Sequence, residues 1–336
     1  MDVRDYPPPV QNGNSSPGGY STKQTAAGAH VTSKLAAAVM TQPPPWLCSF
    51  EALKAELGGA EHWALQNAYA DESVAGRTSG FRATHSTGFV LDVLWVNTAP
   101  QALLWVNTPL DSDRGEAHTC EHVLLGKGRR GREVSSRAEL CLAQSTAFTG
   151  RLRTCYTFQC PGRDSFFTLL GAKLAALLAP DASDVEVSRE VCHFGLLGSS
   201  AVEELGTVYV EQRAAFQQAN YVCYHKLNQL IYGRQHPLSF EAGGTPQGIR
   251  AACPAHMRAF HNARYVLGGM GAVLALAPSN PNELLLRLHH CLIAARDTPR
   301  PWLNGGDEAT TAAPAAELEE RWLPPAEPAP PGCVPR

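Results

Sequence analysis

Apolar positions along this chain alternate in some stretches and cycle with a helical period in others, and the two patterns interleave. Gly88 to Val96 (GFVLDVLWV) and Ala102 to Val106 (ALLWV) read as strands, and the turn residues Asn97 to Gln101 between them predict a β-hairpin with one buried face. Ala147 to Thr149 and Thr154 to Cys160 carry the β-branched and aromatic content of strands, and Tyr265 to Leu276 resembles a closing strand. Phe50, Leu53 and Leu57, then Trp63 and Leu65, follow helical spacing broken by Gly58-Gly59, which predicts a helical lead-in over 46–83. Further helices are predicted at Glu116 to Leu125, Arg137 to Gln144, Asp164 to Leu178, Asp184 to Leu197, Pro254 to Ala263 and Asn282 to Ala295. The longest helical pattern runs from Leu205 to Ile231. The expected architecture is α+β: a domain over 84–296 with helices packed on a sheet.

The two ends have a different composition. Residues 1–45 are rich in Pro, Gly, Ser, Thr and Ala, with proline runs at 7–9 and 43–45. Such a segment buries too little apolar surface to offset its ordering entropy and is expected to be disordered. Residues 297–336 read as a Pro/Ala-rich low-complexity tail with at most one helical turn around Glu317 to Trp322. A net charge of −3 gives no electrostatic case for nucleic acid, and the absence of an apolar run of about 18 residues predicts no membrane span. Ten cysteines without a CxxC pair or a signal-peptide core point to reduced thiols in an intracellular protein. The stretch Asn12 to Trp46 lacks acidic residues, as transit peptides do, while Asp2 and Asp5 count against import. Mitochondrion or chloroplast and cytoplasm both stay open. The basic run Lys127 to Arg132 is expected to be a solvated loop.

The chemistry concentrates at His118-Thr119-Cys120-Glu121-His122. Positions i, i+3 and i+4 share one face of a helix, so a metal held by His118 and His122 would have Glu121 beside it. Catalytic zinc takes imidazole nitrogens and keeps one position open, and an adjacent carboxylate can shuttle the proton of an attacking water. The order HxxEH is the inverzincin arrangement. Cys120, two residues from His118, points off that face and is expected to pack. Asp113 or Ser112 is the expected N-cap, and glycines 126 and 128 should end the helix.

An ordered run of motifs then resembles the insulinase/pitrilysin zinc metallopeptidases, and within them the presequence protease branch. After the zinc helix that branch has a segment ending NAFT and a TxYP-like strand, where Thr146-Ala147-Phe148-Thr149 and Arg153 to Tyr156 stand here. Its EGW is echoed by Glu190-Val191-Cys192, its GVVxNEMKG by Gly206 to Ala214, and its YxxxSGGxPxxI by Leu238 to Ile249. Phe260 to Tyr265 resembles its FHxxYYHPSN. The likeness spans about 84–276 and implies a mostly antiparallel sheet, one half of a clamshell. It implies one Zn2+ per chain, with Glu211 as third ligand beside His118 and His122 and with Glu121 as general base. An unpaired carboxylate in the apolar stretch around Glu211 would be costly, which agrees with a ligand role. Glu190 and Glu204 are candidate carboxylates to orient a ligand histidine. Thr146, Ala147 and Phe148 are candidates for binding an unfolded peptide as an added strand.

The departures are specific. Thr146 replaces the asparagine that binds substrate backbone in the family, the loop after His122 is shorter, and EGW has lost its Gly and Trp. The family's second half, which grips substrate, has no counterpart in this sequence, so a second subunit is one expected partner. The leading expectation is a zinc-dependent endopeptidase domain for unfolded peptides. The alternatives are a catalytically deficient half-enzyme that binds peptide or a partner, or a truncated fragment.

Overall fold

A seven-stranded sheet and the helices packed on it share one core, and the order of the strands decides where the candidate site falls. The computed structural model describes residues 47, 49–71, 77–197 and 201–303, all within a unit that begins at Pro45. The expected disordered segment 1–45 and the tail beyond 303, with its turn around Glu317 to Trp322, lie outside the described residues. In chain order the elements are α1 (Phe50–Glu56), β1 (Trp63–Ala70), β2 (Thr78–His85), β3 (Val90–Trp95), β4 (Gln101–Asn107), α2 (Glu116–Leu124) and α3 (Gly128–Leu140). Then follow β5 (Gln144–Thr149), β6 (Arg153–Gln159), α4 (Arg163–Leu178), α5 (Asp184–Val191), β7 (His193–Leu197), β8 (Ala201–Leu205) and α6 (Thr207–Ala215). The chain continues through α7 (Ala219–Tyr232), α8 (Pro246–Arg250), α9 (Pro254–Arg264), β9 (Met270–Leu276) and α10 (Pro281–Arg296).

The large sheet has the order β1-β2-β3-β9-β4-β6-β5, and β7 and β8 form a separate hairpin. Every pair is antiparallel except β3 with β9, so the α+β class with a mostly antiparallel sheet holds. Alternate residues turn inward, as the period of a strand requires. Leu91 and Val93, Leu104 and Val106, Tyr156 and Phe158, and Ala272 and Leu274 meet one face of the helical layer. That layer presents Phe166, Leu170 and Leu174 of α4 and Leu284, Leu288 and Leu292 of α10, each series at i+4 spacing.

Several expectations are corrected here. β3 and β4 do not form a hairpin, because β9 lies between them, parallel to one and antiparallel to the other. Residues 97–100 therefore bridge two strand spacings, about 10 Å, a distance that short stretch easily spans. β9 (MGAVLAL) is apolar nearly throughout, which suits a central strand better than a closing one. The 46–83 lead-in is helical at α1 and in the short 3-10 helix Leu57–Gly59 that follows it; Trp63–Ala70 and Thr78–His85 pair as β1 and β2, where tertiary pairing overrides an alanine-rich helical pattern. The long helical pattern breaks at Phe216 to Gln218. There the Phe216 ring, at the end of α6, packs on Tyr221 and His225 of α7 at 5.3 and 5.8 Å. The predicted helix at Asp184 to Leu197 stops at Val191 and gives way to β7. The basic run Lys127 to Arg132 opens α3 instead of forming a loop. Its cations have structural partners: Arg132 pairs with Glu186, and Arg130 caps the Ala179 carbonyl at the end of α4.

His261 on α9 ties the helical layer together. It is buried, its Nε2 donates to the Leu177 carbonyl near the end of α4 at 2.8 Å, and its ring stacks on Tyr265 at 4.7 Å. Burial pushes its pKa down to about 4. The neutral ring is the stabilising form. Its contribution is complete above the unfolded pKa near 6.5 and is lost as pH falls through the window down to about 4, because only the unfolded chain readily takes up the proton. The full effect is on the order of 3 kcal/mol. Equilibrium unfolding of the wild type should show a stability slope between pH 6.5 and 4 that is flatter in His261→Gln, while an identical slope in the two proteins would remove His261 from the account.

Candidate metal centre

α2 follows β4 through a polar loop, and its entry is built differently from the expected side-chain cap. Gly115 occupies the N-cap in the left-handed region (φ 74°) and no side chain caps the helix. Ser112 instead donates to Glu116 at 2.8 and 2.7 Å, and Arg114 Nε donates to the same buried carboxylate at 2.6 Å. Asp113 serves a distant loop: its Oδ1 accepts from the Glu241 amide at 2.7 Å and its carbonyl from the Thr245 amide at 2.9 Å. The segment Glu241 to Thr245 thus lies against the start of α2. The contact is at backbone distance, since a Cβ on Gly115 would stand 2.6 Å from the Gly243 carbonyl oxygen and one on Gly244 2.7 Å from the Gly115 nitrogen.

With Ala117, Cys120, Val123 and Leu124 turned into the core, α2 presents His118, Glu121 and His122 on its other side. Cys120 is fully buried, as expected for a packing residue, and burial pushes its thiol well up. α6 crosses opposite. It begins at Gly206, where a Cβ would meet the Val191 carbonyl oxygen at 2.6 Å, so α6 starts directly against the end of α5. That placement brings Glu211 to the two histidines. Its Oε2 stands 3.5 Å from Nε2 of His118 and 3.5 Å from Nε2 of His122, and the two Nε2 atoms are 3.1 Å apart. One donor atom from each of the three side chains lies within 4.8 Å of the others. Such a set of two imidazoles and a carboxylate has the chemistry of a zinc site with an open position. Burial and the neighbouring His122 push the pKa of His118 down to about 4, against a smaller pull from the Gly243 carbonyl. The ring is therefore neutral, as ligation requires, at any pH near 7. Glu211 itself is half exposed, so the burial argument made for it from sequence does not apply; proximity to the histidines is what distinguishes it.

Glu121 points to the same space from the adjacent position on α2. Its carboxylate accepts a hydrogen bond from the Thr149 hydroxyl at the end of β5. Burial raises its pKa, the Thr149 hydrogen bond and His122 oppose that rise, and Glu211 adds to it. Glu190, on α5, lies 3.6 Å from His122 Nδ1 and is held by Lys127 at 2.7 Å, so it flanks a candidate ligand as expected. Glu204 does not. It forms an ion pair with Arg250 at 2.5 Å and accepts from Tyr209 at 2.5 Å, partners that engage its carboxylate and hold it down to about 2.

Thr146, Ala147 and Phe148 lie on β5, the edge strand of the large sheet, paired only with β6. Thr146 and Phe148 are exposed, and Thr149 at the end of the same strand touches Glu121. Two features of this region were not read from the sequence. Thr149 appeared only as the last letter of a strand motif, although its hydroxyl anchors the candidate base. Arg151, in the turn after β5, donates to the carbonyls of Leu238 and Phe240 at 2.7 Å each and pairs with buried Glu241 at 3.2 Å. Tyr221 donates to the same Glu241 at 2.6 Å. A partner 90 residues away in the chain carries no local signal.

No protein-family model matches the chain, and no curated protein matches it. Solved structures do. Pitrilysin superposes with a TM-score of 0.53 at 16% identity, covering 75% of this chain and 26% of that one. An M16 peptidase inactive domain from Pseudomonas fluorescens gives 0.53 at 14%, covering 70% and 53%. A protease from Helicobacter pylori gives 0.51 at 15%, covering 70% and 53%. The chain thus spans between a quarter and about half of the structures it matches. At these identities the likeness is one of fold: the described residues adopt the fold found in M16 peptidases.

Proposed function

We propose that this chain is a zinc-dependent peptidase domain acting on unfolded peptides. The observation that carries the proposal is the meeting of His118, His122 and Glu211 within 4.8 Å, with Glu121 on the next position of the same helix face. One Zn2+ held by these three side chains would supply a Lewis acid for the scissile carbonyl and an acidified water. The chain's own residues do the rest. Glu121 is poised as general base toward that water and as acid toward the leaving amine; burial raises its proton affinity toward the range such a shuttle needs. Thr149 fixes the rotamer of Glu121, and Glu190, braced by Lys127, orients the His122 ring. The open edge of β5 offers main-chain donors and acceptors to an extended peptide, with Thr146, Ala147 and Phe148 beside it. An extended strand is what an unfolded peptide can supply, so the edge supports that substrate class. The motifs resemble those of the presequence protease branch.

A second reading has its own support. One of the similar structures is titled an inactive domain, Thr146 stands where the resembled family has asparagine, and the chain matches only part of its structural neighbours. In that reading the domain binds peptide or a second subunit and does not cleave. Among the described residues no helix is long and apolar enough to cross a membrane, so neither reading involves a helical span there.

Elemental analysis with cleavage of a quenched, unstructured peptide separates the readings. Near one zinc per chain is expected in both wild type and Glu121→Gln, with turnover in the variant lower by about a hundredfold or more. Zinc without turnover in either protein would favour the binding subunit, and absence of zinc would sink the peptidase reading. Thr149→Val should keep zinc and peptide affinity while lowering kcat about tenfold, since it frees the Glu121 rotamer; an unchanged kcat would show that this hydrogen bond does not position the base.

A further inference from the structure

The helical layer holds an open trough of about 460 Å3, none of whose residues belongs to the candidate metal centre. Its floor is α4, where Phe167, Gly171 and Ala175 recur at i+4 and run two turns, about 12 Å, along one face. One wall is α3, with Arg129, Glu133 and Arg137 at the same spacing. The other is α10 and the residues just after it, with His290, Ala294 and Thr298. Gly171, Ala172 and Ala175 are only half-buried, and side chains of that size let another helix approach to the ordinary packing distance of about 8–10 Å. The trough thus has the shape of a slot for one short helix.

We propose that residues 315–323 of the same chain dock in this trough as an amphipathic helix, with Leu318 and Trp322 over the α4 floor and Glu319 toward the α3 wall. Three observations lead there. The first is the pattern of the segment. Pro314 suits the start of a helix and Pro324 stops it, and the nine residues between them would make about 13 Å of helix, the length of the trough. Ala315, Leu318 and Trp322 fall at i, i+3 and i+7, one apolar stripe, while Glu317, Glu319, Glu320 and Arg321 lie off it. The second is charge. The α3 wall sets Arg129, Arg130 and Arg137 against Glu133, and the segment sets three glutamates against one arginine. Arg137 bonds Glu133 at 2.7 Å and Arg130 caps the Ala179 carbonyl, but Arg129 is 74% exposed and meets Glu133 and Asp181 only at 3.8 and 3.9 Å. Its guanidinium has donors to give to a carboxylate. The third is where the described chain leads. Thr298 lines the trough, and Trp302 Nε1 donates at 2.9 Å to the carbonyl of Ala182, the neighbour of the Asp181 that faces Arg129. The chain therefore passes the Arg129 end of the trough just before residue 303. Residues 304–314 can span up to about 36 Å, ample to bring the segment back to it.

The contact is independent of peptide hydrolysis and is tested on the full chain. Hydrogen exchange at the amides of 315–323 should be slower by about tenfold or more in wild type than in a Leu318→Asp, Trp322→Asp double variant, whose changes leave the trough itself untouched. Arg129→Glu, at an exposed position, should bring a similar loss of protection, and adding Glu319→Arg should restore it. In an Arg129→Lys protein, carbodiimide should join the introduced amine to a glutamate of 317–320 within one chain. Equal exchange in wild type and the double variant overturns the proposal, as does an Arg129→Glu protein with unchanged exchange. Cross-links of mixed mass, formed when light and heavy-isotope chains are combined, would assign the trough to a second copy and overturn it as well.

Discussion

The backbone contact between Gly115 and the Gly243-Gly244 loop is the constraint on which the candidate centre depends. Two histidines one turn apart on a helix offer a metal only two ligands, and the third must come from elsewhere in the chain. Here it comes from α6, held by two contacts that tolerate no side chain. Gly206 lets α6 begin against the carbonyl of Val191, and the Gly243-Gly244 loop lies on the first turn of α2. The Gln212 side chain fills the space over Gly243, where a Cβ would come within 2.0 Å of its Nε2. Glu211 and the loop behind His118 are therefore positioned together. A larger residue at Gly115 or Gly243 would change the separation of α2 and α6 before it changed any ligand.

That dependence explains what could be read in the sequence and what could not. His118, Glu121 and His122 were legible because a helix converts i, i+3 and i+4 into one face, a relation local to five residues. The strands β3, β4, β6 and β9 were legible for the same reason, from alternation within a few residues. What failed was non-local. Nothing near Val96 or Ala102 says that a strand some 170 residues later will pass between β3 and β4, and a short turn reads as a hairpin whichever strand fills the gap. β1 was misread because an alanine-rich, half-exposed edge strand has weak alternation and its conformation is set by pairing with β2. Glu211 came from a resemblance and Glu204 was carried with Glu190 as an equal candidate. Only the fold distinguishes them, by placing Arg250 and Tyr209 on Glu204 and the two histidines on Glu211.

The electrostatics of the centre follow from unequal burial. His118 is the more enclosed imidazole and is held neutral, while Glu211 remains half in water. The neutral His118 ring beside a solvated carboxylate is an arrangement that can exist without a cation and still accept one. Glu121 is different, being partly desolvated and yet tethered by Thr149, so its environment resists ionisation while a hydrogen bond supports it. This balance separates a candidate proton carrier from a candidate ligand, although both are glutamates a few ångströms apart.

Arg151 links this chemistry to the edge strand. Placing an arginine and a glutamate where both are largely shielded is rarely the cheapest route to stability, and an apolar pair of similar volume often does as well. Here Glu241 also gathers Tyr221 from α7, and its backbone amide reaches Asp113 at the entry to α2. Arg151 in turn is two residues from Thr149 and clamps two carbonyls of the loop that leads to Gly243. The edge of β5, Glu121 on α2 and the loop behind His118 are thus joined through one ion pair. A peptide added to β5 would lie against a strand whose end is already fixed to Glu121, so that strand pairing and placement of the proposed base would become a single geometric requirement.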